Sequence, residues 1–285
     1  VSDPTDLPRP RRFFVDTAEG FVHVQDCGTG DRVLAFLSIT SFGGVLLDRA
    51  LGLLAQRGYR ALAFDLMGYG LSDKRRHAWS IAEFADNILQ AVGLVGVTPG
   101  GYISGHFAGL VGLEIAARAP AGMRAVVLDG VPLLPPEKRV AEQDFVAPPP
   151  VAWSEDGAHA VIFWKRAFSL IQQLNPDMVL PPQPGNKLRE AYLAYLAVAC
   201  FEPGPAFAFQ TFDAHRRMGA IALPSLVMCA ETDWNRKHAD LWVAGLAGCR
   251  SAMLPGVHPL HDIERPERAA EYVDLIDDFF APLLV

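Results

Sequence analysis

Short runs of apolar residues recur along the first half of the chain and again near its end, each about strand length and bounded by turn residues. They predict strands over 33–37, 61–64, 102–104, 125–128, 225–228 and 252–254. A strand that is apolar throughout, rather than alternating, is one whose two faces are both covered, as in a parallel sheet. Ahead of them, 13–16 and 21–25 alternate and are joined by Ala18-Glu19-Gly20, a hairpin signal. Helical periodicity fills the spaces between strands, over 44–56, 80–92, 108–118, 237–247 and 266–280. Ser80 followed by Glu83 forms a capping box at the start of the second of these. Strand and helix in alternation predict a doubly wound, mostly parallel α/β sheet with right-handed crossovers.

The alternation breaks between Pro132 and Ala222. Proline clusters ("PLLPPEKR", "VAPPP", "VLPPQP") separate two helical patches, 160–174 and 187–201, and aromatics are dense: Trp153, Trp164, Tyr192, Tyr195, Phe201, Phe207, Phe209 and Phe212. An insertion between the sixth and seventh strands predicts a helical lid, 132–222, over a core of 1–131 and 223–285. Ligands of open α/β sheets bind at the carboxyl edge that such a lid covers. The aromatics, Trp153 and Trp164 among them, predict an apolar pocket there for a small apolar or aromatic molecule.

Charge and cysteine content narrow the partners. With 32 acidic against 25 basic residues the chain carries a net charge of -7, which argues against nucleic acid and anionic membrane surfaces. No run of apolar residues is long enough to predict a membrane-spanning helix. Cys27, Cys200, Cys229 and Cys249 are widely spaced and form no metal-ligand pattern, so no metal or cofactor is expected. Reduced thiols and a polar start, Val1-Ser2-Asp3-Pro4, without a signal pattern read as cytoplasmic. An apolar lid offers a surface for a homodimer, although a closed pocket would use the same residues.

Several segments, in order, resemble one family. "GYRALAFDLMGYGLSDK" at 58–74, the strand–"GHFAG"–helix unit around 105–109, "CAETD" at 229–233 and "LPGVHPLHDIERPE" at 254–267 are together similar to the α/β-hydrolase family across nearly the whole chain. That resemblance implies the family's fold with its cap, and an elbow between strand and helix that presents a nucleophile. Here the nucleophile's position in "GHFAG" is held by Phe107, which has no atom able to attack a carbonyl, and its neighbours His106 and Ser104 do not simply replace it. The backbone N–H of Ala108 is the expected oxyanion donor. The family's His-Gly pair is replaced by Ser38-Ile39, where hydroxyls of Ser38, Thr40 and Ser41 either bind a polar substrate atom or satisfy the turn. Asp233 stands at the family's acid position and Asp129 at its alternative. The family's spacing puts the histidine at Pro259, with His258 one place early and His261 two places late.

Three of the family's four catalytic devices are therefore altered, which disfavours a conventional ester or C–C hydrolase. Two readings follow. One is a cofactor-free, non-hydrolytic enzyme of lyase, isomerase or cyclase type. In it, His258 or His261 with Asp233 or Asp129 moves protons, and the substrate rests on Phe107 and His106. The other is a pseudo-hydrolase that keeps the pocket and binds a small molecule or a protein.

Overall fold

The structure, a computed structural model, describes residues 7–38, 43–75, 77–147, 152–162, 165, 206–231, 233, 235–255 and 266–284. Its centre is a sheet of eight strands: β1 (Arg11–Thr17), β2 (Gly20–Cys27), β3 (Arg32–Leu37), β4 (Tyr59–Phe64), β5 (Gly101–Gly105), β6 (Ala125–Asp129), β7 (Ser225–Ala230) and β8 (Arg250–Leu254). They lie in the order β1-β2-β4-β3-β5-β6-β7-β8. The β1–β2 hairpin and the β2–β4 pair are antiparallel; every other pair is parallel. All the predicted strands are present, extended by a residue or more at one or both ends. The doubly wound α/β architecture read from the pattern is the one observed.

Helices α1 (Asp48–Gln56), α2 (Ile81–Val95), α3 (His106–Arg118), α4 (Ala206–Thr211), α5 (Ala214–Met218), α6 (Arg236–Gly245) and α7 (Pro266–Phe280) are the α-helical elements bounded within the described residues. One apolar cluster joins the sheet to α2, α3 and α6; the other joins its opposite face to α1 and α7. β5 and β6 lie between the two clusters and are buried at every residue, which is why their sequences read as continuous apolar runs. The capping box at Ser80 and Glu83 opens α2, and Gly96 in the left-handed region closes it. Among the described residues no helix is long and apolar enough to cross a membrane.

Helix α3 is buried from His106 through Ala116, so it packs on all sides. Small residues make that approach possible. A Cβ on Gly109 would lie 2.2 Å from a methyl of Val131, and one on Gly112 would lie 2.0 Å from Ser104 Oγ. Gly109→Ala is expected to destabilise the fold by about 1–3 kcal/mol, because a buried branched side chain has to move. A fall in the urea unfolding midpoint at unchanged slope checks this.

The stretch between β6 and β7 leaves and returns as a pinned neck. Val140 N–H donates to Gln210 O at 3.0 Å, the Phe145 and Phe207 rings meet edge to face, and Arg139 pairs with Asp213. α5 is held to α3 by Arg217, whose guanidinium reaches Glu114 Oε2 at 2.7 Å. Glu114, buried in α3, also takes Arg118 at 2.9 Å. Phe209 and Phe212 pack against the core. Of the predicted lid helices, residues 158–162 are helical; the patch 187–201, with Trp164, Tyr192, Tyr195 and Phe201, lies outside the described residues.

Candidate active site

β5 runs through Gly105, which is paired with Asp129 of β6, so the chain turns one residue later than the end of the apolar run suggests. Gly105 is still extended, with φ -118° and ψ 154°. The next residue, His106, has φ 52° and begins α3. A non-glycine residue in that region carries about 1–3 kcal/mol of strain and marks the apex of a strained turn. The apex of the elbow is therefore His106, and the helix starts at 106 instead of 108. Phe107 is 7% exposed. Its ring packs edge to face on Phe84 at 5.6 Å and tilts against Tyr69 at 6.3 Å. Ala108 behind it is buried.

The His106 side chain retains a tenth of its surface exposed, and its Nε2 lies 3.1 Å from Oδ2 of the fully buried Asp233. Asp233 follows β7 and is held by its own turn: Oδ1 accepts the Asn235 N–H at 2.7 Å. Asn235 Nδ2 donates to Gly130 O at 2.7 Å, which ties the β7 turn to the end of β6. Gly130, at φ 54°, sits under the pair. A Cβ there would be 2.5 Å from Asp233 Oδ2 and 3.3 Å from His106 Nε2, so no other residue leaves room for the contact. Asp129, also buried, ends β6, and the phenol of buried Tyr272 on α7 lies near enough to favour its charged form.

These contacts favour the charged imidazole. Burial alone would lower the pKa of the His106 imidazole, but Asp233 in contact and Asp129 nearby outweigh it and hold it above its ordinary value. The positive end of α3 opposes them by only about 0.3–1 kcal/mol. Burial pushes the Asp129 carboxyl up to about 7, with the Asp233 charge adding to the rise and His106 and Tyr272 restraining it. The Cys229 thiol is pushed up by burial and by the same two carboxylates, so it stays a neutral thiol. An imidazole whose charged form is favoured in this way can donate a proton, and Asp233 lies in position to orient it.

A second buried knot shapes the neighbouring loops. The Asp65 carboxylate accepts from Gly44 N–H at 2.5 Å and Leu71 N–H at 2.9 Å, and meets His23 Nδ1 at 2.9 Å. A Cβ on Gly70 would lie 2.1 Å from Asp65 Oδ2, so the glycines of "DLMGYG" exist to wrap this carboxylate. Ser38 is buried beside it, and its Oγ has no hydrogen-bond partner among the described residues. Trp153 is 67% exposed, with its ring 4.4 Å from that of His159. Thr40, Ser41, Trp164, His258 and His261 lie outside the described residues. Among the described residues no cluster of His, Cys, Asp and Glu could hold a metal ion.

The structure thus brings together Asp233, Asp129 and His106 from the sequence-predicted set. Sequence reasoning missed Tyr272, Asn235 and the pairing of His106 with Asp233. The one signal for the pairing was the order of the strands: the ends of β5 and β7 flank the end of β6, so their turns meet above it.

Comparison with known proteins agrees with this architecture. A family model described as "Alpha/beta hydrolase family" matches residues 21–272. A protein of Variovorax paradoxus named "Putative carbamate hydrolase RutD" is 27% identical over 231 residues, covering 74% of this chain and 78% of its own length. A hydrolase from Pseudomonas aeruginosa superposes with a TM-score of 0.69 at 19% identity, over 95% of this chain and 98% of that one. An esterase from Exiguobacterium antarcticum gives a TM-score of 0.69 at 16% identity, over 95% and 100% of the two chains.

Proposed function

We propose, for a chain that belongs to the α/β-hydrolase family, that the elbow delivers a proton where other elbows deliver a nucleophile, and that the substrate is a small carbamate with an apolar or aromatic substituent. The observation that carries this is His106 at the apex, paired with buried Asp233. A carbamate needs no attacking group. When its nitrogen is protonated, the C–N bond breaks, the bonding electrons stay on nitrogen, and the carboxylate carbon leaves as CO2. The net change is R–NH–COO⁻ plus a proton to R–NH2 plus CO2, which His106 serves as general acid.

The charges suit that substrate. Nε2 faces Asp233, and the imidazolium carries its second proton on Nδ1. Asp129, pushed up to about 7, is substantially neutral below that pH and so spares an anionic substrate some of the repulsion of a second carboxylate. The named relative is a "Putative carbamate hydrolase", which supports this substrate class over the isomerase and cyclase alternatives. The reading keeps the cofactor-free proton transfer expected from the sequence. It replaces the loop histidines with His106 as the donor.

The sign of the pH dependence tests it. A histidine that works as an acid is active below its folded pKa and inactive above it. Here that pKa lies above the ordinary value. The kcat/KM for amine release, corrected for uncatalysed carbamate decay, is expected to be level at mildly acidic pH and to fall as pH rises through the His106 pKa. A rate that instead rises with pH would make the imidazole a base acting on water. Binding without turnover would leave the pseudo-hydrolase reading in its place.

A further inference from the structure

We infer that the chain pairs with a second copy of itself, edge to edge through β1, antiparallel about a two-fold axis at Phe14, so that the two sheets run on as one. β1 is an outer strand of the sheet, and among the described residues no strand lies beyond it. The hairpin shows which of its backbone groups face the open side. Opposite Phe14 and Asp16 stand His23 and Phe21. The Phe21 N–H donates to Asp73 Oδ2 at 2.8 Å, and its carbonyl accepts the Asp73 N–H at 2.9 Å. The His23 N–H donates to Ser72 Oγ at 2.9 Å, and its carbonyl accepts the Asp65 N–H at 3.1 Å. Both residues turn their peptide groups away from β1, which makes 14–23 and 16–21 the pairs of the hairpin that exchange no hydrogen bonds. Phe14 and Asp16 therefore direct their own N–H and C=O groups to the open side, and the alternation extends this to Arg12. Such a row is a template for a further strand.

The side chains select the occupant. Phe13 and Val15 pack against the core, whereas Arg12, Phe14 and Asp16 share the other, exposed face. Phe14, Phe21 and Leu71 each leave about half of their surface exposed. The Phe14 ring lies 6.4 Å from that of Phe21 and 5.4 Å from that of His23. Leu71 belongs to the same patch, because its N–H is bonded to the Asp65 carboxylate that His23 also meets. The charges on the strand are self-complementary. A two-fold at Phe14 pairs all seven residues of β1 and sets Arg12 of each protomer opposite Asp16 of the other, on the face that carries Phe14. A two-fold at Arg12 or at Asp16 would set like charges against each other. Arg12 Nη2 already reaches Asp48 at 3.0 Å, and the guanidinium has further N–H groups for a second carboxylate. The contact uses the same patch on both copies, so it closes at two. β2, β4 and β3 separate it from the elbow strand β5.

Sedimentation velocity of the full-length protein over a range of concentrations is expected to show a monomer–dimer equilibrium. Asp16→Arg sets arginine against arginine at both ends of the ladder, and Arg12→Asp sets aspartate against aspartate. Each is expected to raise the dimer Kd by about tenfold or more. Mixed in equal amounts, the two variants meet with opposite charges at both ends, and a mixed dimer should form more tightly than either variant does alone. A wild type still monomeric at about 1 mM, the weak end of the affinity scale, overturns the inference. A dimer whose Kd is unmoved by Asp16→Arg overturns it as well, since the contact then lies elsewhere. So does a mixture that associates no better than its components. If Arg12→Asp does not fold without its bond to Asp48, an unmoved Kd in Phe14→Asp overturns the inference equally. None of these measurements uses turnover, so a protein inert towards carbamates refutes the proposed reaction without touching this result.

Discussion

His106→Gln is expected to lower kcat/KM for carbamate breakdown by about 10²- to 10⁴-fold, the usual worth of a positioned general acid. Glutamine is the informative replacement. Its amide nitrogen reaches about as far as Nε2 and donates to Asp233, so the buried carboxylate is not left without a donor from residue 106. Outright removal of one partner of a buried pair costs about 3–5 kcal/mol. The amide keeps part of that, but it has no proton to give at any accessible pH. The loss should fall on kcat as well as kcat/KM, because the proton moves only in the transition state. Asp233→Asn should cost less and move the alkaline limb to lower pH, since the imidazole loses the nearer of its two carboxylates. A His106→Gln enzyme that keeps turnover within a few-fold of wild type would remove His106 from the chemistry. Unfolding by urea, run on the same sample, separates lost chemistry from lost protein.

The parts of this site that could be read from the sequence are those fixed by local pattern. Strands β3 to β7 are legible because both faces are buried, which writes them as uninterrupted apolar runs. Asp129 and Asp233 stand out because a carboxylate at the end of such a run breaks it. The apex of the elbow is not local in this sense. Where β5 ends depends on its ladder with β6, and Gly105 takes part in that ladder although nothing apolar marks it. The spacing of "GHFAG" made Phe107, its middle residue, the candidate tip, whereas the ladder carries β5 through Gly105 and leaves the positive-φ residue at His106. Tyr272 was hidden for another reason. It occupies an apolar position of an amphipathic helix, and helical periodicity records the ring's burial but not what lies beside its hydroxyl. The knot at Asp65 left a signal that went unused: glycine pairs on both sides of it, at 43–44 and 68–70, are what a chain needs to wrap a buried carboxylate closely.

A serine at position 107 is expected to weaken the protein without creating a serine hydrolase. Restoring the residue that the family carries there looks like the direct repair of "GHFAG", but Phe107 is a wall of the core. Its ring fills the space between Phe84 and Tyr69. Cutting a buried phenylalanine back to a small side chain costs about 3–5 kcal/mol, and a hydroxyl left among aromatic rings adds to that. Against a total stability of about 5–15 kcal/mol, this should appear as a large drop in the unfolding midpoint. The hydroxyl would also stand on the wrong residue. The strained, positive-φ position belongs to His106, and its ring already occupies Asp233, the carboxylate that would orient a catalytic base. Phe107→Ser should therefore show no ester turnover and no labelling by a fluorophosphonate at residue 107. Stoichiometric labelling there would mean that side chain 107 reaches the substrate side of the elbow. The apex would then be Phe107, and the case for His106 as proton donor would fall with it.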